Sequence, residues 1–161
     1  MDVEKYISKG KNAYSQNKKL LDNLHKRKPK DLDEKMQVLH HDTFEKVNCL
    51  SCGNCCKTTS PIFYDKDIER LAKFLKIKPS EFAHRYLKID EDKDYVLKSS
   101  PCPFLDAENY CTVYEQRPNA CREYPHTDRK KFYQITELTL KNTLVCPAVV
   151  EMMEKLKMIY K

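Results

Sequence analysis

The sequence predicts a mainly α-helical fold, in which an N-terminal helical hairpin precedes a small irregular helical domain. Apolar side chains recur every three or four residues through most of the chain, which is the spacing of one face of an α-helix. The cysteines are the second observation, because all 8 of them lie between Cys49 and Cys146. We therefore divide the chain into a hairpin extension at residues 1–48 and a cysteine-bearing domain at residues 49–161.

The first 48 residues predict two helices separated by Pro29. The apolar positions of the first helix are Tyr6, Ile7, Ala13, Tyr14, Leu20, Leu21 and Leu24, and those of the second are Leu32, Met36, Leu39, Thr43 and Val47. Asp31 follows the proline and is placed to cap the second helix. Because two such stripes need apolar cover, we expect the hairpin to pack on the protein, in preference to serving as a partner-binding arm.

Two helices and a short strand are predicted in the middle of the chain. The expected core positions are Ile68, Leu71, Ala72 and Leu75 in the first helix and Phe82, Tyr86 and Leu87 in the second, which begins at Pro79. Residues 95–98 predict the strand. The acidic run at residues 90–94 predicts a charged turn, since it lacks the glycine and the terminal glutamate of a calcium-binding loop.

The final helix is predicted to begin at Pro147, directly after Cys146. Its apolar side consists of Val149, Val150, Met153, Leu156 and Tyr160. The Cys146 sulfur then lies at a helix N-terminus, where the helix dipole and the free amides favour a thiolate. This is the form that a metal ligand requires.

The composition excludes several classes of protein. A chain of 161 residues with 40% hydrophobic side chains can bury a core without disulfides. Gly10 and Gly53 are the only glycines, so the sequence has no glycine-rich loop of the kind that binds nucleotide phosphates. The net charge of +6 is spread along the chain, which argues against nucleic-acid binding.

No apolar stretch is long enough to predict a membrane span, and the N-terminus does not resemble a secretory signal. We therefore expect a cytoplasmic protein that does not bind membranes. In a reducing compartment, clustered thiols indicate metal ligands or redox groups more often than disulfides. Four disulfides are the alternative that the even number of cysteines leaves open.

The segment Cys49-Leu-Ser-Cys52-Gly-Asn-Cys55-Cys56 is the strongest local motif. Two thiolates separated by two residues can bind one ion, and Gly53 allows the positive φ that such a turn requires. The spacing matches a zinc knuckle, and also the first three ligands of an iron-sulfur motif. Because adjacent side chains point apart, Cys55 and Cys56 are expected to serve different centres, or one of them a reactive role.

Four more thiols follow, at Cys102, Cys111, Cys121 and Cys146. The four cysteines of the first motif and the four later ones would make two tetrahedral sites, although each site could also draw ligands from both sets. Arg117 and Arg122 are placed to donate to the sulfurs, or alternatively to pair with neighbouring glutamates. The fold is thus predicted to be organised around a cysteine-lined metal centre.

The thiol motif, the segment Cys102-Pro-Phe-Leu and the segment Cys111-Thr-Val-Tyr-Glu-Gln-Arg-Pro-Asn-Ala-Cys121-Arg-Glu-Tyr-Pro together resemble the CxxCxxCC (YkgJ-like) cysteine-cluster family of zinc- or iron-chelating proteins. The resemblance covers residues 49–126 and extends to Cys146. It implies that the metal ligands are Cys49, Cys52, Cys55, Cys56, Cys102, Cys111, Cys121 and Cys146. The implied cofactor is zinc or iron, including a 4Fe-4S cluster.

Three functions remain open at this point. The first is a cytosolic metal-binding protein with a structural or metal-handling role, which needs only the ligands present. The second is an iron-sulfur enzyme that modifies a protein substrate, because a branch of the family resembles flagellin lysine N-methylases. The third is a thiol redox protein that uses Cys55 or Cys56. No catalytic residue can be assigned from the sequence.

Overall fold

Helices dominate residues 2–161, the part of the chain that the computed structural model describes, and the sheet found there has only two strands. The mainly α-helical class is confirmed. Chain contacts divide the protein into two compact units. The helical unit joins the chain up to Cys52 with Pro125–Lys161, and the thiol-rich unit is Gly53–Tyr124.

The helical unit is built from six α-helices within its described residues. They are α1 (Val3–Asn12), α2 (Tyr14–Arg27), α3 (Leu32–Phe44), α4 (Cys49–Cys52), α9 (Thr136–Asn142) and α10 (Pro147–Ile159), with a 3-10 helix at Phe132–Ile135. Helix α10 packs on α1 and α3, and α2 packs on α9. The hairpin therefore packs on the C-terminal helices, which supply the apolar cover that its two stripes require.

The second predicted helix matches the structure closely. Its five stripe positions, Leu32, Met36, Leu39, Thr43 and Val47, are all buried. Asp31 is its N-cap residue, but the carboxylate caps no backbone amide of the helix and accepts a hydrogen bond of 2.8 Å from the Tyr160 hydroxyl. The first predicted helix is divided at Ala13 into α1 and α2, an interruption that no proline marks.

Gly10 explains how closely α1 approaches its neighbours. A Cβ atom at this position would lie 2.1 Å from the backbone oxygen of Thr143 and 3.0 Å from a methyl group of Val150. Any larger residue would therefore push α1 away from these two groups.

The final helix begins at Pro147 with Cys146 as its N-cap residue, as the sequence predicts. Four of its predicted apolar positions, Val149, Val150, Met153 and Leu156, are at most 1% exposed. Proline suits this start because the first helical residue needs no amide hydrogen.

The thiol-rich unit contains shorter elements. They are α5 (Asn54–Thr58), α6 (Asp65–Leu75), α7 (Pro79–Tyr86), β1 (Leu87–Ile89), β2 (Tyr95–Leu97), a 3-10 helix at Tyr114–Gln116 and α8 (Asn119–Glu123). Strands β1 and β2 pair antiparallel, with Leu87 opposite Leu97. The predicted charged turn joins them, and the Asp90 carboxylate accepts the amides of Asp92 and Asp94 at 3.0 Å each.

The core of the thiol-rich unit is small and aromatic. It consists of Phe63, Ile68, Leu71, Ala72, Phe82, Leu87, Leu97, Phe104 and Val113. The rings of Phe82 and Phe104 stack with centroids 6.1 Å apart. Cys102 and Cys111 pack against this core, so it places two thiols directly.

The predicted boundary between residues 48 and 49 was drawn from the position of the cysteines, whereas the two units are defined by chain contacts. Because the two criteria differ, the units do not test the boundary, and it stays a prediction. Within residues 2–161, no helix combines the length and the apolar character needed to cross a membrane.

Candidate metal centre

All 8 cysteines, which lie within residues 2–161, carry thiols that are not joined in disulfides. Cys49, Cys52 and Cys146 belong to the helical unit. The thiol-rich unit holds Cys55, Cys56, Cys102, Cys111 and Cys121. The division falls at Gly53, inside the N-terminal motif, and Gly53 has the positive φ of 59° that the sequence predicts.

Backbone hydrogen bonds tie together the turns that carry the thiols of the thiol-rich unit. The Cys102 amide donates to the Cys56 carbonyl at 2.8 Å, and the Leu105 amide donates to the Cys102 carbonyl at 3.1 Å. Leu105 and Cys111 form an isolated antiparallel bridge. Three cysteines distant in sequence are thus linked through one continuous set of backbone contacts.

Four of these thiols also interact electrostatically. The pKa of Cys121 is raised to about 12. Burial is the main cause, and the negative charges of Cys56, Cys102 and Cys111 add to it. Burial likewise raises the pKa of Cys102 to about 11, with contributions from Cys56 and Cys111. Burial is also the main cause of the raised pKa of Cys111. We name Cys56, Cys102, Cys111 and Cys121 the four-thiol group.

Cys56 differs from the other members of this group. A hydrogen bond from the adjacent Cys55 side chain is the main cause that lowers the pKa of Cys56 to about 7, against the opposing effect of burial. Cys56 is therefore the thiol of this group that ionises most readily near neutral pH.

The helical unit holds a three-thiol group, Cys49, Cys52 and Cys146. Burial raises the pKa of Cys146 to about 12, while the backbone amides of Val149 and Ala148 lower it and the charges of Cys49 and Cys52 raise it. The expected amides at the start of α10 thus do face the sulfur. Their effect is smaller than the cost of burial, because the side chain is only 8% exposed.

The donor chemistry of both groups fits a thiophilic metal. Thiolates are ligands of zinc and of iron-sulfur clusters, and a bound cation offsets both the burial and the mutual repulsion of the sulfurs. Among residues 2–161, however, no three His, Cys, Asp or Glu side chains are close enough together to ligate one ion as they stand. Metal binding in either group therefore requires its sulfurs to move together.

Arg117 and Arg122 both donate hydrogen bonds to backbone carbonyls of their own segment. Arg117 donates to the Tyr114 carbonyl at 2.6 Å and stacks on the Tyr114 ring, with its guanidinium carbon 3.8 Å from the ring centroid. Arg122 donates to the carbonyls of Arg117 and Glu115. Their guanidinium groups hold backbone carbonyls, and the Arg117 charge also lowers the pKa of Cys111 and Cys121.

Sequence reasoning missed Asp67 and Arg70 on α6. The Asp67 side chain is 1% exposed and forms an ion pair of 2.7 Å with Arg70. Both residues also contact the segment that leads to Cys121. The local sequence signal was an acid and a base three residues apart beside an apolar stripe, a spacing that also pairs side chains on solvated helix faces.

Comparison with protein families matches residues 48–146 to the CxxCxxCC family, described as "Putative zinc- or iron-chelating domain". The chain is similar to an uncharacterized protein of Methanocaldococcus jannaschii, with 34% identity over 83 residues. That match covers 50% of this chain and 44% of the relative, so the chain spans less than half the length of that protein. No solved structure matches the chain.

Proposed function

Because the chain belongs to the CxxCxxCC family of zinc- or iron-chelating domains, we propose that it binds metal through its cysteines, with the four-thiol group as the principal site. One observation carries this proposal. Four thiols from separate segments of the chain interact electrostatically, and three of them have a pKa raised by burial. Buried thiolates repel one another and lose hydration, and a bound cation would offset both costs by stabilising the ionised form.

The four-thiol group suits a structural metal. Cys56, Cys102, Cys111 and Cys121 would hold the ion, and four thiolates complete a tetrahedral site without an open position. The ion would supply the attraction that fixes the short turns between these residues. The chemistry of the site is then binding, with no catalytic step at the metal.

The three-thiol group suits a second, more labile site. Cys49, Cys52 and Cys146 supply three sulfurs, which leaves the fourth position of a tetrahedral ion to another ligand. A protein partner or a transferred metal could occupy it, and this is the basis for a metal-handling role in the reducing cytoplasm. Cys55 is the eighth proposed ligand. The Cys55→Ser variant described below tests whether it binds the metal of the four-thiol group.

Purification under anaerobic conditions, followed by elemental analysis and visible absorption, tests the proposal. A colourless protein with zinc supports a structural or metal-handling role. A brown protein with acid-labile sulfide supports an iron-sulfur site. A folded protein that contains neither metal refutes the proposal.

Cysteine variants assign the metal to its group. Cys121→Ser should abolish the metal of the four-thiol group, because it removes a thiolate that serine does not replace. Cys55→Ser is the matched control, since it lies beside Cys56 and should leave this metal in place. Loss of metal in C55S, with retention in C121S, would overturn the assignment of the four-thiol group.

A second candidate function is thiol redox chemistry at Cys55 and Cys56. The observation that favours it is the pKa of Cys56, lowered to about 7 by its hydrogen bond from Cys55. A thiol with this pKa is about half ionised at pH 7, and the ionised fraction is nucleophilic. Under this second function, the metal content of the protein would not depend on Cys55 and Cys56.

Alkylation kinetics at different pH values distinguish the two functions. A reactive Cys56 should label with a midpoint near pH 7 in the metal-loaded protein, and Cys55→Ser should raise this midpoint. If Cys56 is instead a metal ligand, its labelling should be slow until a chelator is added. Fast labelling without a chelator would favour the redox function.

A further inference from the structure

Asp67 has an unusual environment for a carboxylate in the thiol-rich unit. Its side chain is only 1% exposed and accepts three hydrogen bonds. The donors are the Tyr64 amide at 3.0 Å, the Arg70 guanidinium at 2.7 Å and the Asn119 amide at 3.2 Å. The first caps the start of α6, whereas the third lies at the start of α8, two residues before Cys121.

Arg70 continues this connection from α6 to the same distant segment. Its Nη2 atom donates to the Arg117 carbonyl at 2.9 Å, and its Nε atom donates to the Gln116 carbonyl at 3.3 Å. The planar guanidinium group can bind the carboxylate and both carbonyls together, which a lysine ammonium cannot reproduce. Asp67 and Arg70 therefore grip residues 116–119 from one helix. We name this set of contacts the α6 clamp.

The gripped segment contributes few side chains to the interior. Val113 is the last residue of the unit's apolar core, and Pro118 is the one buried residue within 114–124. Beyond it, the carbonyls of four consecutive residues, 114–117, all accept hydrogen bonds from Arg70, Arg117 or Arg122. Of these three arginines, only Arg70 lies outside the segment and can fix it to the rest of the unit.

We propose that Asp67 and Arg70 are positioning residues, which hold the Cys111–Cys121 segment so that the Cys121 sulfur faces the rest of the four-thiol group. The chain of contacts runs from the Asp67 carboxylate to the Asn119 amide, and the Cys121 amide then donates to the Pro118 carbonyl at 2.9 Å. The proposal rests on the proposed function for its metal, but the placement of Cys121 can be measured separately.

The test compares Arg70→Met and Asp67→Asn with the wild-type protein. Arg85→Met and Glu81→Gln are matched controls, because this ion pair of 2.6 Å lies on α7 of the same unit but is exposed. Each full-length protein is labelled with iodoacetamide as purified and after metal removal, and mass spectrometry measures the rate at each cysteine. Elemental analysis gives the metal content.

Loss of residues that hold a metal ligand in place weakens metal binding about 10–100-fold in other proteins. We expect Cys121 to label at least about tenfold faster in R70M and D67N, with unchanged rates at Cys49, Cys52 and Cys146. The controls should match the wild type. Arg70→Lys keeps the positive charge but loses the planar guanidinium group, so it should give an intermediate labelling rate at Cys121. This variant replaces R70M in the comparison if R70M does not fold.

Two results would overturn the α6 clamp. One is an unchanged labelling rate at Cys121, and the other is equal acceleration at all eight cysteines, which would indicate general loss of structure. A wild-type protein without metal would refute the proposed function alone, because the labelling comparison still decides where Cys121 is held.

Discussion

The helical unit and the thiol-rich unit obtain their stability from different sources. In the helical unit, large apolar side chains such as Met36, Phe132 and Leu156 are completely buried on separate elements. In the thiol-rich unit, the apolar core ends at Val113, and the segment up to Tyr124 depends on guanidinium groups and backbone hydrogen bonds. Cys111 lies just before that weakly buried segment, and Cys121 lies near its end.

This difference indicates where metal has the larger structural effect. Apolar burial contributes about 25 cal/mol for each Å² removed from water and needs no ligand. Residues 98–124 bury few side chains, namely Phe104, Val113 and Pro118, so they must gain most of their order from polar contacts or from a bound ion. We therefore expect the helical unit to keep its fold without metal and residues 98–124 to lose theirs.

Metal removal should produce the largest effect. Structural zinc contributes about 10–16 kcal/mol in small zinc-binding peptides, which is comparable to the whole stability of a domain, about 5–15 kcal/mol. Chelation under reducing conditions should abolish amide protection in residues 98–124 and preserve it in α3 and α10, as measured by hydrogen exchange.

A chelator already saturated with metal is the control and should change nothing. Uniform protection throughout the chelated protein would show that polar contacts alone order residues 98–124. Simultaneous loss in both units would show that the helical unit also depends on metal.

The sequence predicted the helical unit better than the thiol-rich unit, for physical reasons. The α3 stripe is fully buried because a 3.6-residue period leaves one face for the core. The break at Ala13 was missed because no proline marks it, and the close approach of Gly10 to the Thr143 carbonyl was missed because it is tertiary packing. Packing between residues so distant in sequence leaves no local signal.

The cysteines were found from their spacing, but their grouping was not. Cys52 and Cys55 are three positions apart yet belong to different compact units. Which thiols interact depends on long-range contacts such as the pairing of Cys102 with Cys56. The contacts of Asp67 and Arg70 escaped sequence reasoning for the same reason, since their partners lie about fifty residues further along the chain.

Substitution of one completely buried phenylalanine in each unit should separate their stabilities. Phe82 in the thiol-rich unit and Phe132 in the helical unit are both 0% exposed, and Phe→Ala in a core costs about 3–5 kcal/mol. F82A should lower protection in α6 and α7 and weaken metal retention. F132A should lower protection in the helical unit and leave the metal of the four-thiol group bound.

Hydrogen exchange and metal analysis on the same samples measure both effects. Each variant is the control for the other, because the residue type, the burial and the substitution are identical. Equal loss of protection in both units from either variant would show that the two units unfold as one.

The stability of the metal-free protein should fall at high pH. The thiols of Cys121 and Cys146 have a folded pKa of about 12, against 9.0 without burial, so the folded state keeps protons that the unfolded state releases between pH 9 and 12. Stability from this source is complete below pH 9 and decreases above it, by up to about 1.4 kcal/mol per pH unit and thiol. Denaturant titrations from pH 8 to pH 11 under reducing conditions measure the slope.

Cys146→Ser should reduce this slope for the helical unit, and Cys121→Ser should reduce it for the thiol-rich unit. The metal-loaded protein should behave in the opposite way, because acid protonates the ligating thiolates and releases the ion. A slope that is the same in the wild type and both variants would rule out the buried thiols as its cause.

The smallest predicted effect concerns the closure of the helical unit. The Tyr160 hydroxyl, just beyond α10, donates to the Asp31 carboxylate at the start of α3, and Tyr160→Phe removes this contact while keeping the ring. Because the pair is exposed, we expect a loss of only about 0.5–1.5 kcal/mol in the free energy of unfolding of the helical unit. Protection in residues 98–124 and metal content should not change, since those depend on the thiol-rich unit. A fall in metal content in Y160F would contradict the separation of the two sources of stability, even if the loss of unfolding free energy were as small as expected.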